Sequence, residues 1–148
     1  MITHEENDLL CRVENGAPMG QLMRRHWVPI CLIEEVSEPD GTPVKARILG
    51  EDLVVFRNTE GQVGVMDEYC PHRRASLVFG RNEEGGLRCL YHGWKVAADG
   101  TILEMPSEPP ETDYKARVKL RALHVVEKYG VIWVHMGEQV EPPPMPKQ

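Results

Sequence analysis

Four side chains in this 148-residue sequence have types and spacing suited to chemistry: Cys70, His72, Cys89 and His92. They lie in two short stretches, Cys70-Pro71-His72-Arg73 and Cys89-Leu90-Tyr91-His92-Gly93-Trp94. The pattern is C-x-H, sixteen residues, then C-x-x-H. Each half supplies one thiolate and one imidazole. That suits a binuclear iron–sulfur site in which one iron takes two Cys and the other takes two His. Two thiolates and two neutral imidazoles cancel the formal charge of an oxidised two-iron, two-sulfide core. Four thiolates would leave it an anion, so the mixed set is easier to reduce. The pattern points to one-electron transfer. Two Cys and two His could also hold one tetrahedral zinc ion. Zinc fingers pair Cys with Cys and His with His at each end, whereas each end here mixes the two.

The residues around the ligand candidates suit two loops projecting from a β scaffold. Pro71 stiffens the first loop and removes a competing N–H. Gly93 lets backbone come close to the site or take a positive φ. Backbone N–H groups in such loops can point at sulfur and tune a potential. Tyr91 and Trp94 are large enough to shield one side of the site; ordinary core packing is the alternative for both. Arg73 is placed to pair with a carboxylate and hold the first loop. Arg73, Arg74, Arg81, Arg88 and Lys95 alternate with Asp67, Glu68, Glu83 and Glu84. They make either a solvated mixed surface or a docking face for a redox partner. Cys11 and Cys31 have no ligand-like neighbours and read as reduced thiols, Cys31 within an apolar run.

The elements that must position these loops are short strands. Pro18 to Arg25 predicts a short helix. Strands are expected over Trp27 to Ile33, Val44 to Leu49, Leu53 to Arg57 and Val63 to Met66, with turns at 38–41, 50–52 and 59–61. Leu87 to Leu90 leads into the second loop. Trp94 to Ala97 and Thr101 to Leu103 flank a hairpin turn at 98–100. Arg121 to Glu127 and Val131 to His135 pair around Lys128-Tyr129-Gly130. His4 falls in a mobile terminus, and His26, His124 and His135 read as packed imidazoles. The tail Glu141-Pro142-Pro143-Pro144-Met145-Pro146 favours polyproline II, as a linker or as a disordered end. Regularly spaced short strands predict an all-β sandwich or barrel.

From Leu9 to Glu108 the chain resembles the N-terminal Rieske domain of Rieske non-haem iron aromatic-ring oxygenases, above all the phthalate 4,5-dioxygenase-like oxygenase subunits. Besides the two ligand motifs, the likeness rests on Gly20-Gln21-Leu22-Met23-Arg24-Arg25-His26-Trp27, Leu49-Gly50-Glu51-Asp52-Leu53-Val54, Phe79-Gly80-Arg81-Asn82 and Met105-Pro106-Ser107-Glu108. The resemblance implies an all-β Rieske fold: stacked antiparallel sheets, an inserted cluster-binding subdomain at 68–95, a short N-terminal helix and one 2Fe–2S cluster per chain. Residues 1–140 would form that domain and 141–148 a Pro-rich tail or linker. Cys70, His72, Cys89 and His92 would be the ligands, with Arg73, Tyr91, Gly93 and Trp94 around them. The implied electron donor is an NAD(P)H-dependent reductase or a ferredoxin. The implied acceptor is a catalytic non-haem iron domain or oxygenase subunit, in a full oxygenase that can be a homotrimer. No second iron site is expected within these 148 residues. A free-standing Rieske ferredoxin is the alternative, and a zinc-binding structural module the third reading. The family carries Gly after C-P-H-R, where this chain has Arg74.

One domain of ordinary size accommodates the whole chain. A net charge of −6 argues against nucleic acid as a partner. The sequence has no membrane-spanning apolar run and its first residues are not a secretory signal, so a cytoplasmic location is expected. Respiratory-type Rieske proteins bridge their loops with a disulfide, but Arg74 and Tyr91 occupy those places here. Trp94 stands where a hydroxyl donor could sit, so few hydrogen bonds reach the sulfurs. The midpoint potential is expected in the negative part of the Rieske range, about −150 to 0 mV; a redox titration giving more than about +150 mV contradicts this.

Overall fold

Between Trp27 and His135 the chain alternates runs of β-branched and apolar residues with Gly-containing turns, and those runs form strands. The computed structural model describes residues 1–138 and 141–147. Among them are two α-helices, α1 (His4–Cys11) and α2 (Pro18–Met23). The strands are β1 (Trp27–Leu32), β2 (Val44–Ile48), β3 (Glu51–Arg57), β4 (Val63–Asp67), β5 (Arg81–Glu83), β6 (Gly86–Arg88), β7 (Lys95–Ala97), β8 (Ile102–Glu104), β9 (His124–Lys128) and β10 (Val131–His135). They form three antiparallel sheets, ordered β1-β10-β9, β2-β3-β4 and β5-β6-β7-β8.

The sheet β2-β3-β4 lies between two cores. Leu53, Val55, Val63 and Val65 pack with Ile132 and Val134 of the first sheet and with Met136 just beyond it. Val54, Phe56 and Met66 pack on the other side with Leu87, Val96 and Ile102 of the third sheet. Strand β3 therefore reads as a continuous apolar run, because successive side chains point to opposite faces and both faces are covered. Cys70, Cys89 and Trp94 belong to the core between the second and third sheets. The loops at 70–76 and 89–93 rise from that core, and the sheet carrying the second loop runs on to Glu104.

Three hairpins close through two-residue turns with both residues at positive φ: Leu49-Gly50 (49°, 81°), Glu84-Gly85 (50°, 83°) and Tyr129-Gly130 (57°, 76°). This geometry matches the twist of paired strands, and Gly adopts it without steric cost. Ile48 pairs with Glu51. The turn expected at 50–52 is thus centred on Leu49-Gly50, and Glu51 and Asp52 already belong to β3.

Other expectations need correction. At His4 the chain is helical: α1 starts there behind a capping box, with Thr3 N–H donating to Glu6 Oε2 (2.7 Å) and Glu6 N–H to Thr3 Oγ1 (3.1 Å). Helix α2 stops at Met23, two residues short of the expected end. Strand β5 was not anticipated, because Arg81-Asn82-Glu83 carries no apolar alternation. His26 and His124 are exposed rather than packed. His135 is buried, edge-on to Trp27 at 5.7 Å. The proline segment lies against Trp27: the indole Nε1–H donates to Pro143 O (2.8 Å), and Lys128 Nζ donates to Pro146 O (3.2 Å).

Gly100 sits at φ +86°, and a Cβ there would lie 1.9 Å from Leu120 O. Gly61 has a similar φ of +82° with nothing within 4 Å. Gly61→Ala should cost about 1 kcal/mol from backbone conformation alone. Gly100→Ala should cost clearly more, since Leu120 must also move. Denaturation midpoints of the two variants check this; equal losses would refute it.

Candidate metal centre

The two loops repeat one backbone scheme. In the first, Cys70 N–H donates to Ala75 O (2.9 Å) and Arg74 N–H to Cys70 O (2.9 Å). In the second, Cys89 N–H donates to Trp94 O (2.8 Å) and Gly93 N–H to Cys89 O (3.1 Å). The residue four places after each Cys has positive φ: Arg74 at 60° and Gly93 at 76°. Each loop is thus a closed turn that returns the chain beneath its own cysteine. Gly suits the left-handed position. Arg at the same position is strained by about 1–2 kcal/mol. Its guanidinium lies 4.9 Å from the centre of the Tyr69 ring, a cation–π contact that opposes the strain.

The scheme brings the four candidates together as two pairs. Cys70 and Cys89 are both buried in one core. Burial pushes the Cys70 thiol up to about 11, and the Cys89 side chain adds to the rise; the backbone N–H groups of His72 and Arg73, aimed at its sulfur, act the other way. A bare thiolate there is disfavoured, and a cation bound to the sulfur reverses that balance. His72 and His92 form the second pair, with ring centroids 4.6 Å apart and planes at 66°. Among the described residues no three His, Cys, Asp or Glu side chains converge on one ion position. A thiol pair beside an imidazole pair fits a two-iron group with unlike ends better than one tetrahedral ion.

The surroundings differ from the expected ones in several places. Trp94 is buried, with its ring parallel to His72 (centroids 4.7 Å, 5° between planes). Tyr91 is exposed and tilts over His92 at 3.8 Å. Arg73 is exposed and forms no ion pair among the described residues. The first loop is held instead by Glu68, which is 3% exposed: it accepts from Ser76 Oγ (2.6 Å) and lies 2.8 Å from Lys45 Nζ. Under the second loop, Arg88 donates to Gly93 O (3.1 Å) and Glu83 Oε1 (2.7 Å) and pairs with Glu104 (2.9 Å). Lys95, almost fully buried, pairs with Glu84 (3.2 Å) and with Glu104. Arg88 and Lys95 are therefore structural charges, not open docking groups. Their only sequence signal was a basic residue in each of two adjoining strands with acids nearby.

The model of the Rieske [2Fe-2S] domain family matches residues 26–130. The chain belongs to the Rieske domain family. Its cofactor is a Rieske 2Fe–2S cluster. The chain is 66% identical over 139 residues to the phthalate 4,5-dioxygenase oxygenase subunit of Pseudomonas putida, covering 94% of this chain and 32% of that one. It is 48% identical to the 3-chlorobenzoate-3,4-dioxygenase oxygenase subunit of Comamonas testosteroni, over 99% of this chain and 34% of that one. A crystal structure of dicamba monooxygenase with non-heme iron and dicamba superposes with a TM-score of 0.71 at 29% identity, covering 84% of this chain and 37% of that one. The chain thus spans about a third of the length of these relatives. The Rieske fold, with its stacked antiparallel sheets, agrees with the all-β architecture the sequence implies. Among the described residues no helix is long and apolar enough to cross a membrane.

The ion pairs under the second loop should make this Rieske domain sensitive to acid. Lys95 first, then Arg88, holds the Glu104 carboxyl below its ordinary value of 4.5. A depressed folded-state value means the contribution is complete above 4.5 and is lost as pH falls through the folded value. Stability should therefore fall with acidification below 4.5, and Glu104→Gln should flatten that slope while lowering stability at neutral pH. Urea midpoints measured across the acid range test this; an unchanged slope in the variant would refute it.

Proposed function

We propose that Cys70, His72, Cys89 and His92 are the protein ligands of the Rieske cluster, one cluster per chain, with both thiolates on one iron and both imidazoles on the other. The observation that carries this reading is the meeting of a thiol pair and an imidazole pair at the ends of two equivalent loops. When bound, the cluster supplies reversible one-electron transfer. The chain's own residues exclude water from the thiols through Leu77, Leu87 and Trp94 and aim two amides at Cys70. They leave His92 at the surface, with exposed Leu90 and Tyr91 beside it, where a redox partner can approach.

In this reading the chain is the Rieske portion of an aromatic-ring oxygenase of the phthalate dioxygenase kind. Residues 1–140 form the electron-transfer domain, with the cluster-binding part at 68–95, and 141–148 are a Pro-rich tail or linker. The similarity to oxygenase subunits of two aromatic-acid dioxygenases supports this. The electron donor is an NAD(P)H-dependent reductase or its ferredoxin. The acceptor is a catalytic non-haem iron domain or oxygenase subunit, within a homotrimeric full oxygenase. The cytoplasm, where unpaired thiols stay reduced, is the compartment that suits it.

The purified protein should contain about two irons and two acid-labile sulfides per chain. His72→Ala and His92→Ala should each abolish the intact cluster. His26→Ala and His124→Ala, which alter exposed rings away from the loops, should leave its absorbance and electron-spin signal unchanged. One zinc and no sulfide per chain would sink the assignment.

A further inference from the structure

The segment Met105-Pro106-Ser107-Glu108 belongs to neither ligand loop, yet it closes the site from a third side. Met105 is buried in the core that contains Cys70 and Cys89. Pro106 covers the second loop: a Cβ on Gly93 would lie 3.4 Å from Pro106 Cγ. Ser107 Oγ accepts the indole Nε1–H of Trp94 at 3.1 Å. Trp94 in turn lies face to face with His72. One hydroxyl therefore reaches the imidazole through one indole.

The geometry points to Ser107 as a positioning residue for His72, acting through Trp94; this rests on the reading of His72 as an iron ligand. A metal–nitrogen bond fixes where an imidazole nitrogen sits but leaves the ring free to turn about that bond. Something else must set the plane of the ring, and here the indole face does. The indole itself could turn about χ2, a broad and roughly two-fold torsion. Its only polar atom selects one orientation, because a buried N–H without an acceptor costs about 1–3 kcal/mol. Ser107 supplies that acceptor. His92 is held differently: it meets His72 edge-on at 4.6 Å, and its neighbour Tyr91 is exposed and tilted by 41°. The two imidazoles are thus held by unequal means, and only one is tied to residue 107.

The test compares the parent chain, Ser107→Ala and Ser107→Thr, each first assayed for iron and sulfide. In the reduced proteins, pulsed electron-spin measurements resolve the nitrogen couplings of the two imidazoles. Ser107→Ala should keep its iron and sulfide, shift one coupling and leave the other in place. Ser107→Thr, which keeps the hydroxyl, should restore the parent pattern. On warming, Ser107→Ala should also lose the cluster about fivefold faster, the equivalent of one hydrogen bond of about 1 kcal/mol. Couplings identical to the parent, equal shifts at both imidazoles, or the same shift in Ser107→Thr would each overturn the inference while leaving the ligand assignment intact. A parent chain without iron and sulfide would overturn the ligand assignment and this inference together.

Discussion

Two thiols from separate loops must be brought together within one apolar core. Burial raises the Cys70 thiol, so Cys70 resists ionisation in the absence of a bound cation. What keeps the sulfurs in place meanwhile is backbone. Each cysteine donates its own N–H to the residue five positions on and accepts an N–H from the residue four positions on, which closes a rigid turn. The left-handed residue that each turn requires, Arg74 or Gly93, follows from that closure. The sheets serve mainly to set the two turns against each other across one core.

Much of this was legible from residue types. The ligand candidates follow from the mixing of Cys and His in each half, and the strand positions follow from β-branched runs between Gly-containing turns. The hairpin turn slipped by a residue at Leu49 because Leu is a poor advertisement for positive φ, whereas Gly50 beside it was plain. The capping box at Thr3 and Glu6 is written in the sequence, but at a terminus, where disorder is the usual expectation. His26 and His135 illustrate the limit of neighbour-based reasoning. His26 follows two arginines and precedes an apolar strand, His135 ends one, and only His135 lies inside; local sequence carries no information on which sheet face meets a second layer.

The charged groups were the least legible part. Glu68, Lys95 and Arg88 look like ordinary surface residues in a polar stretch. Two of them are nearly inaccessible, and all three are spoken for by partners remote in sequence. Burying such charges does little for net stability, but removing one partner leaves the other stranded at considerable cost. Their effect is to make the arrangement of the loops unique: Glu68 ties Ser76 to Lys45, and Glu104 ties β6 and β7 to β8. Arg73, the more conspicuous candidate, is left outside this network.

Strand β3 gives alternate side chains to two separate cores, Leu53 and Val55 to one and Val54 and Phe56 to the other. A backbone shared in this way cannot shift against one layer and keep its fit to the other, since a one-residue slip of register exchanges the two sets of side chains between the two cores. The three sheets are thereby coupled through one shared strand. The loops at 70–76 and 89–93, seated on the nearer core, are linked through that one strand to a sheet on the far side of the molecule.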